Sequence, residues 1–294
     1  MSRVVSKQKM RRKLPLYIAA AVIAATLLAV ILHGCRKAPP EPEIEDPHAG
    51  QVLINDGANE VWISPIEGIA PAGFTAEDFR TSDGLPCYVG SDYTALQGID
   101  VSEYQEPVDW AAVKADHVDF VIIRCGWRGY TSGSVADDGA FTEHINGALK
   151  AGLQVGVYFF SQAVTPEEAT EEAEAALALL QGYDIQLPVF FDWERPGDKM
   201  ARTQTVELSA LTEIACAFCD TVRNGGYTPG IYFNRQLGYY AYDWSRLADC
   251  AKWVSDPNEW PDFYYRFDFW QYSFDGAVDG IGIQTDRNLM FVKK

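Results

Sequence analysis

From Gly98 onward, short apolar runs ending in polar residues alternate with amphipathic stretches, and this alternation restricts the chain to few architectures. The runs are GIDVS, DFVIIRCG, LQVGVYFFS, LPVFFDWE, TPGIYFN, CAKWVSD and FDFWQYS. Each is nearly continuous in apolar residues, as expected of strands covered on both faces. Helix signals lie between them. Thr165-Pro166 followed by Glu168 combines an N-cap, a proline at the first helical position and a capping box, and Gly182 ends that run. A second helix is predicted from about Thr205 to Arg223, stopped by Gly225-Gly226. Repeated strand–helix units build parallel sheets. The expected fold is therefore α/β, a TIM-like (β/α) barrel with parallel strands over residues 96–294. In such a barrel the chemistry collects at the carboxyl ends of the strands, and Asp100, Asp192, Glu194 and Asp256 fall there.

The preceding residues differ in kind. Residues 1–37 hold eight of the 24 Lys and Arg and no acid, so residues 38–294 carry 16 bases against 41 acids, a net −25. A basic head, 1–13, runs into residues 14–32, LPLYIAAAVIAATLLAVIL, which have no charge and no helix breaker after Pro15. Their length is close to the roughly 20 residues of a membrane-spanning helix. The basic flank places the N-terminus in the cytoplasm and the rest outside. The expectation is a single-pass signal anchor at the cell membrane with an extracytoplasmic domain. A cleaved signal peptide, giving a secreted protein, and lipid attachment at Cys35 of LHGC are the alternatives. All three export the acidic part. Residues 33–49, rich in Pro and Glu, read as a stiff linker. Residues 50–95 read as a small appendage that opens with a hairpin, QVLIND-GAN-EVWIS.

Several functional classes are disfavoured. Six cysteines are too few for a disulfide scaffold in a chain of 294 residues. Cys216-x-x-Cys219 lies in an apolar helical run without a second Cys or His pair, and reads as buried helix cysteines or one ordinary disulfide rather than a metal site. With four His, a catalytic zinc has little support, so no metal site is expected. The acidic exterior argues against nucleic acid as a partner, and no glycine-rich phosphate loop of the required spacing occurs.

The most suggestive spacing is in VFFDWE. Asp192 and Glu194 are two apart, so on a strand both leave the same face, with Cα atoms about 6.5 Å apart, while Trp193 points away. Two carboxylates in a partly dehydrated site cannot both ionise freely. Glycosidic cleavage needs such a pair, one protonated to serve the leaving oxygen and one ionised to stabilise the developing positive charge. Two solvated acids at a strand end would have the same spacing.

GIDVSEYQ followed by VDW, then FVIIRCGWRG, AGLQVGVYFF, LPVFFDWE, GIYFN and FWQYS…TDRN, in order across about residues 97–292, resembles the family 25 glycoside hydrolases, the lysozymes of N-acetylmuramidase type. The resemblance implies an irregular α/β barrel that hydrolyses the β-1,4 bond between N-acetylmuramic acid and N-acetylglucosamine of bacterial peptidoglycan without a cofactor. It makes Glu194 the general acid and Asp192 the stabilising partner in a substrate-assisted route, with Asp100 and Asp286 as the other active-site acids. Tyr158, Phe160, Tyr232, Trp270, Gln271 and Arg124 are the candidate substrate-binding residues, and a monomer is expected. Departures from the family pattern are Tyr158-Phe159-Phe160 in place of Tyr-His-Phe and Glu106 in place of Gly. The alternatives from other classes are a catalytically inactive wall-glycan-binding module and a glycosidase acting on another N-acetylglucosamine polymer such as chitin.

Overall fold

A computed structural model describes residues 3–34 and 46–294. The chain divides into two units, Met1–Ala49 and Gly50–Lys294. In the first, helix α1 spans Arg3–Gly34, and its side chains over 17–31 are exposed. Among the described residues no helix is long and apolar enough to cross a membrane. Cys35 and most of the linker expected over 33–49 lie outside the described residues.

The second unit opens with two antiparallel hairpins, β1 (Val52–Asn55) with β2 (Glu60–Ile63) and β3 (Phe79–Ser82) with β4 (Leu85–Tyr88). The strands and helices that follow are β5 (Tyr93–Val101), α2 (Trp110–Ala115), β6 (Phe120–Arg128), β7 (Val135–Asp137), α3 (Phe141–Lys150), β8 (Gln154–Ser161), α4 (Pro166–Leu179), β9 (Val189–Trp193), α5 (Leu211–Asn224), β10 (Pro229–Asn234), α6 (Arg235–Tyr240), β11 (Ala251–Ser255), β12 (Phe269–Gly276) and β13 (Thr285–Lys293). The sheet runs β5-β13-β12-β11-β10-β9-β8-β6, and β5 pairs with β6 to close an eight-stranded barrel, with β7 appended to β6.

The barrel departs from the all-parallel expectation at one place. β13 is antiparallel to both neighbours, β12 and β5. Neither β11 nor β12 is followed by an α-helix, so the wall formed by β12 and β13 lacks the helical layer that covers the other strands. Aromatic residues from the N-terminal hairpin region cover it instead. Phe79 meets Trp270 edge-on at 5.5 Å, and Phe74 packs on Phe291 at 4.6 Å. The β1–β2 hairpin is tied to α6 through the Tyr240 hydroxyl, which donates to Asp56 at 2.7 Å.

Local sequence explains the helix starts. Thr165 Oγ1 accepts from the Glu168 N–H, and Pro166 occupies the first turn of α4. The Glu168 carboxylate accepts from Val164 N–H at 2.8 Å, one residue before the cap. α5 begins later than its pattern suggests, after 3-10 turns at Arg202–Thr205 and Leu208–Ala210. Tertiary bonds hold the intervening segment: Arg202 N–H donates to Tyr130 O, and the Thr203 hydroxyl to Gln162. Inside the barrel, Phe120, Ile122, Phe190, Phe269 and Met290 form a buried plug. Gly98 and Gly230 make room for it, since a Cβ at either would lie within 2.5 Å of the Phe120 or Phe190 ring.

Candidate active site

At the carboxyl ends of the parallel strands, above the aromatic plug, a cavity of about 260 Å³ is lined by Asp100, Asp192, Glu194 and Asp286, with Tyr158, Phe160, Tyr232, Gln271 and Arg124 around them. Asp192 is the penultimate residue of β9 and Glu194 follows one residue past its end; Trp193 points the other way, fully buried, with Nε1 donating to Ala163 O at 2.9 Å. Asp286 and Asp100 are direct partners across β13 and β5.

One amide organises two of the acids. Gln271 Nε2 donates to Asp100 at 2.9 Å and to Asp286 at 3.0 Å, while its oxygen accepts from the Tyr232 hydroxyl at 2.7 Å. Asp100 also accepts from Asn288 Nδ2 at 2.8 Å, and Asn288 is in turn held by Trp253 Nε1 at 2.8 Å. These neutral donors orient the carboxylates without cancelling their charge. The Arg124 guanidinium, which also lines the cavity, is committed elsewhere, since its Nε donates to Asp138 at 2.6 Å and Nη2 to Glu103 at 3.1 Å.

The acids therefore hold protons more tightly than in water. Burial raises Asp100 to about 6, against the opposing bonds from Asn288 and Gln271. Burial, then the charges of Asp100 and Glu194, lifts Asp286 to about 8. Glu194 is raised by burial and by Asp100. Asp192 is raised well above the carboxylate range by burial, then by Glu194 and Asp100. It also lacks a donor on Oδ1, which is buried and without a partner.

Trp270 is not in the cleft. Gln271 faces the barrel interior, so by strand alternation Trp270 faces outward; it is fully buried against Phe79 and Tyr272, with Nε1 donating to Asp256 O. The cleft tryptophan is Trp253, whose position in CAKWVSD has the same inward parity as Ser255. Tyr104 also lines the cavity, 69% exposed, with the Arg124 guanidinium 5.1 Å from its ring centre. It stands in the GIDVSEYQ segment but carries no periodic signal of its own. Asp256, although at a strand end, supports a loop: it is fully buried, faces Arg235 at 3.4 Å and accepts from Asp262 N–H. Among the described residues no group of three or more His, Cys, Asp or Glu is arranged to hold a metal ion.

A barrel that gathers dehydrated carboxylates beside aromatic rings at its strand ends has the groups that a glycoside hydrolase needs. The chain belongs to the glycosyl hydrolases family 25, whose sequence profile matches residues 99–281. Lysozyme M1 of Streptomyces globisporus is 28% identical over 214 residues, covering 67% of this chain and 68% of that protein. The autolytic lysozyme of Clostridium acetobutylicum is 26% identical over 197 residues, covering 65% of this chain and 54% of its own length. A solved family 25 glycosyl hydrolase from Bacillus anthracis shares the fold, with a TM-score of 0.57 at 21% identity, covering 74% of this chain and 94% of that one. Relatives named as lysozymes are consistent with glycoside hydrolase activity.

Proposed function

We propose that this chain cleaves the β-1,4 bond between N-acetylmuramic acid and N-acetylglucosamine in bacterial peptidoglycan, with Glu194 as general acid and Asp192 stabilising a substrate-assisted intermediate. The observation that carries this reading is the orphan Oδ1 of Asp192, buried in the same cavity as Glu194. A 2-acetamido sugar bound there brings an N–H that can donate to it. That bond favours ionised Asp192, and the burial that raises Glu194 keeps the remaining proton on Glu194. The acetamido oxygen then attacks the anomeric carbon, and the glycosidic C–O bond breaks as its oxygen takes the Glu194 proton. Asp192 stabilises the resulting oxazolinium ion. Glu194, now a carboxylate, deprotonates a water that attacks the anomeric carbon and reopens the ring with retained configuration.

The two departures from the family pattern, Phe159 and Glu106, are not among the residues that line the cavity, whereas all four acids are. On the outer face of the cell membrane, residues 14–32 would tether the monomeric enzyme near its substrate and raise its local concentration. The test is digestion of purified peptidoglycan by the wild type and by Glu194→Gln, with mass spectrometry of the released ends. New muramic-acid reducing ends are expected from the wild type, with a rate about 10³-fold lower in the variant. Reducing-end N-acetylglucosamine, or an inverted first product, would overturn the bond or the route.

A further inference from the structure

A second cavity, of about 380 Å³, adjoins the acid cluster and is lined by Glu194, Tyr232, Asn234, Ser255, Phe274 and Asp286. It shares Glu194, Tyr232 and Asp286 with the first cavity but not Asp192 or Asp100. Glu194 thus stands at the junction of the two. A general acid belongs beside the bond it protonates, and the sugar whose acetamido group meets Asp192 lies in the first cavity. The group that departs must then lie in the second.

The backbone presents an unusual residue there. β12 and β13 slip register between Gln271 and Ser273 and again between Ser273 and Gly276. Ser273 faces Arg287 and Gly276 faces Thr285, so Phe274 and Asp275 together oppose the single residue Asp286. Bulges of this kind re-aim side chains next to active sites. This one leaves the Phe274 ring 51% exposed at the cavity wall, although the strand it belongs to is buried over its first four residues. The C–H face of a pyranose is apolar and packs flat on an aromatic ring that water would otherwise cover.

The geometry points to Phe274 as the specificity-determining platform for the leaving-side N-acetylamino sugar, an assignment that rests on the muramidase reading above. The test compares the intact chain with Phe274→Ala and Phe274→Tyr on two substrates. One is a glycan strand of alternating sugars. The other is the β-fluoride of a disaccharide ending in muramic acid, which fills the first cavity but carries no leaving-side sugar. For Phe274→Ala, kcat/KM on the strand is expected to fall about tenfold more than on the fluoride, mainly through KM. Phe274→Tyr, which keeps the ring, is expected to recover most of that difference. Equal losses on both substrates would reduce Phe274 to a structural residue, and equal retention would show that nothing stacks on it; either result overturns the assignment while the muramidase reading stands. A wild type inactive on both substrates would overturn the two together.

Discussion

Asp100 and Asp192 share one cavity under different constraints. Asp100 accepts two amide donors and is raised by burial to about 6, whereas Asp192 has an oxygen without any partner and is raised by burial well above the usual carboxylate range. Above pH 6 the charge on Asp100 therefore helps to keep the Glu194 proton in place. Asp100→Asn keeps the shape and removes the charge, so Glu194 loses its proton at lower pH. The basic limb of the kcat/KM profile is expected to move toward acid, with activity at neutral pH falling about tenfold. An unmoved limb would take Glu194 out of the role of acid. Asp286 makes a stability prediction. Its folded pKa, about 8, exceeds its unfolded value of 3.8, so between these the native state binds more protons and stability falls as pH rises through that window. Asp286→Asn removes the loss, and thermal melts should show the variant about 1–2 kcal/mol more stable than wild type at pH 9 and little changed near pH 4. At this scale the carboxylate pair was legible in VFFDWE, because two residues of one strand separated by one must share a face. Trp270 was expected in the cleft because its strand opens toward that end, but the same alternation turns it to the face opposite Gln271.

The strands carried their own signal, and seven apolar runs correspond to β5, β6, β8, β9, β10, β11 and β12. β13 was legible only as part of a family resemblance. Its antiparallel course cannot be read from its composition, since direction is set by the strands it meets. The glycines of the barrel interior make a further test. At Gly98 a Cβ would lie 2.2 Å from the Phe120 ring, and the aromatic plug has no free side to which that ring could retreat. Gly98→Ala is expected to cost about 1–3 kcal/mol in urea unfolding, with the substrate cavity only indirectly affected. A neutral effect would mean that the plug is loosely packed.

Over the whole molecule, the net −25 of residues 38–294 sets how the protein meets an anionic wall. Repulsion reaches about 30 Å at 0.01 M salt and about 8 Å at 0.15 M. For residues 38–294 released from the N-terminal segment, kcat/KM on intact walls is expected to rise several-fold over that range. With the tether proposed for residues 14–32, the full chain on membrane vesicles is expected to respond less, because its association would no longer depend on diffusion from bulk. Turbidity clearing at the two salt concentrations measures both. An untethered form indifferent to salt would remove charge from the account of targeting.

The class of fold, the places of most strands and the pairing of Asp192 with Glu194 could be read from the residues alone, because they follow from local periodicity and from chemistry within a few residues. The family resemblance names Asp100 and Asp286 as the other acids, but their meeting depends on long-range strand pairing. Asp100 and Asp286 lie 186 positions apart, and they meet because an antiparallel last strand closes the barrel between β5 and β12. Only the tertiary structure decided that Gln271 bridges them, that Trp253 lines the cleft in place of Trp270, and that an N-terminal hairpin covers the wall left without helices. Each of these depends on which strands become neighbours, and no local window of residues encodes that.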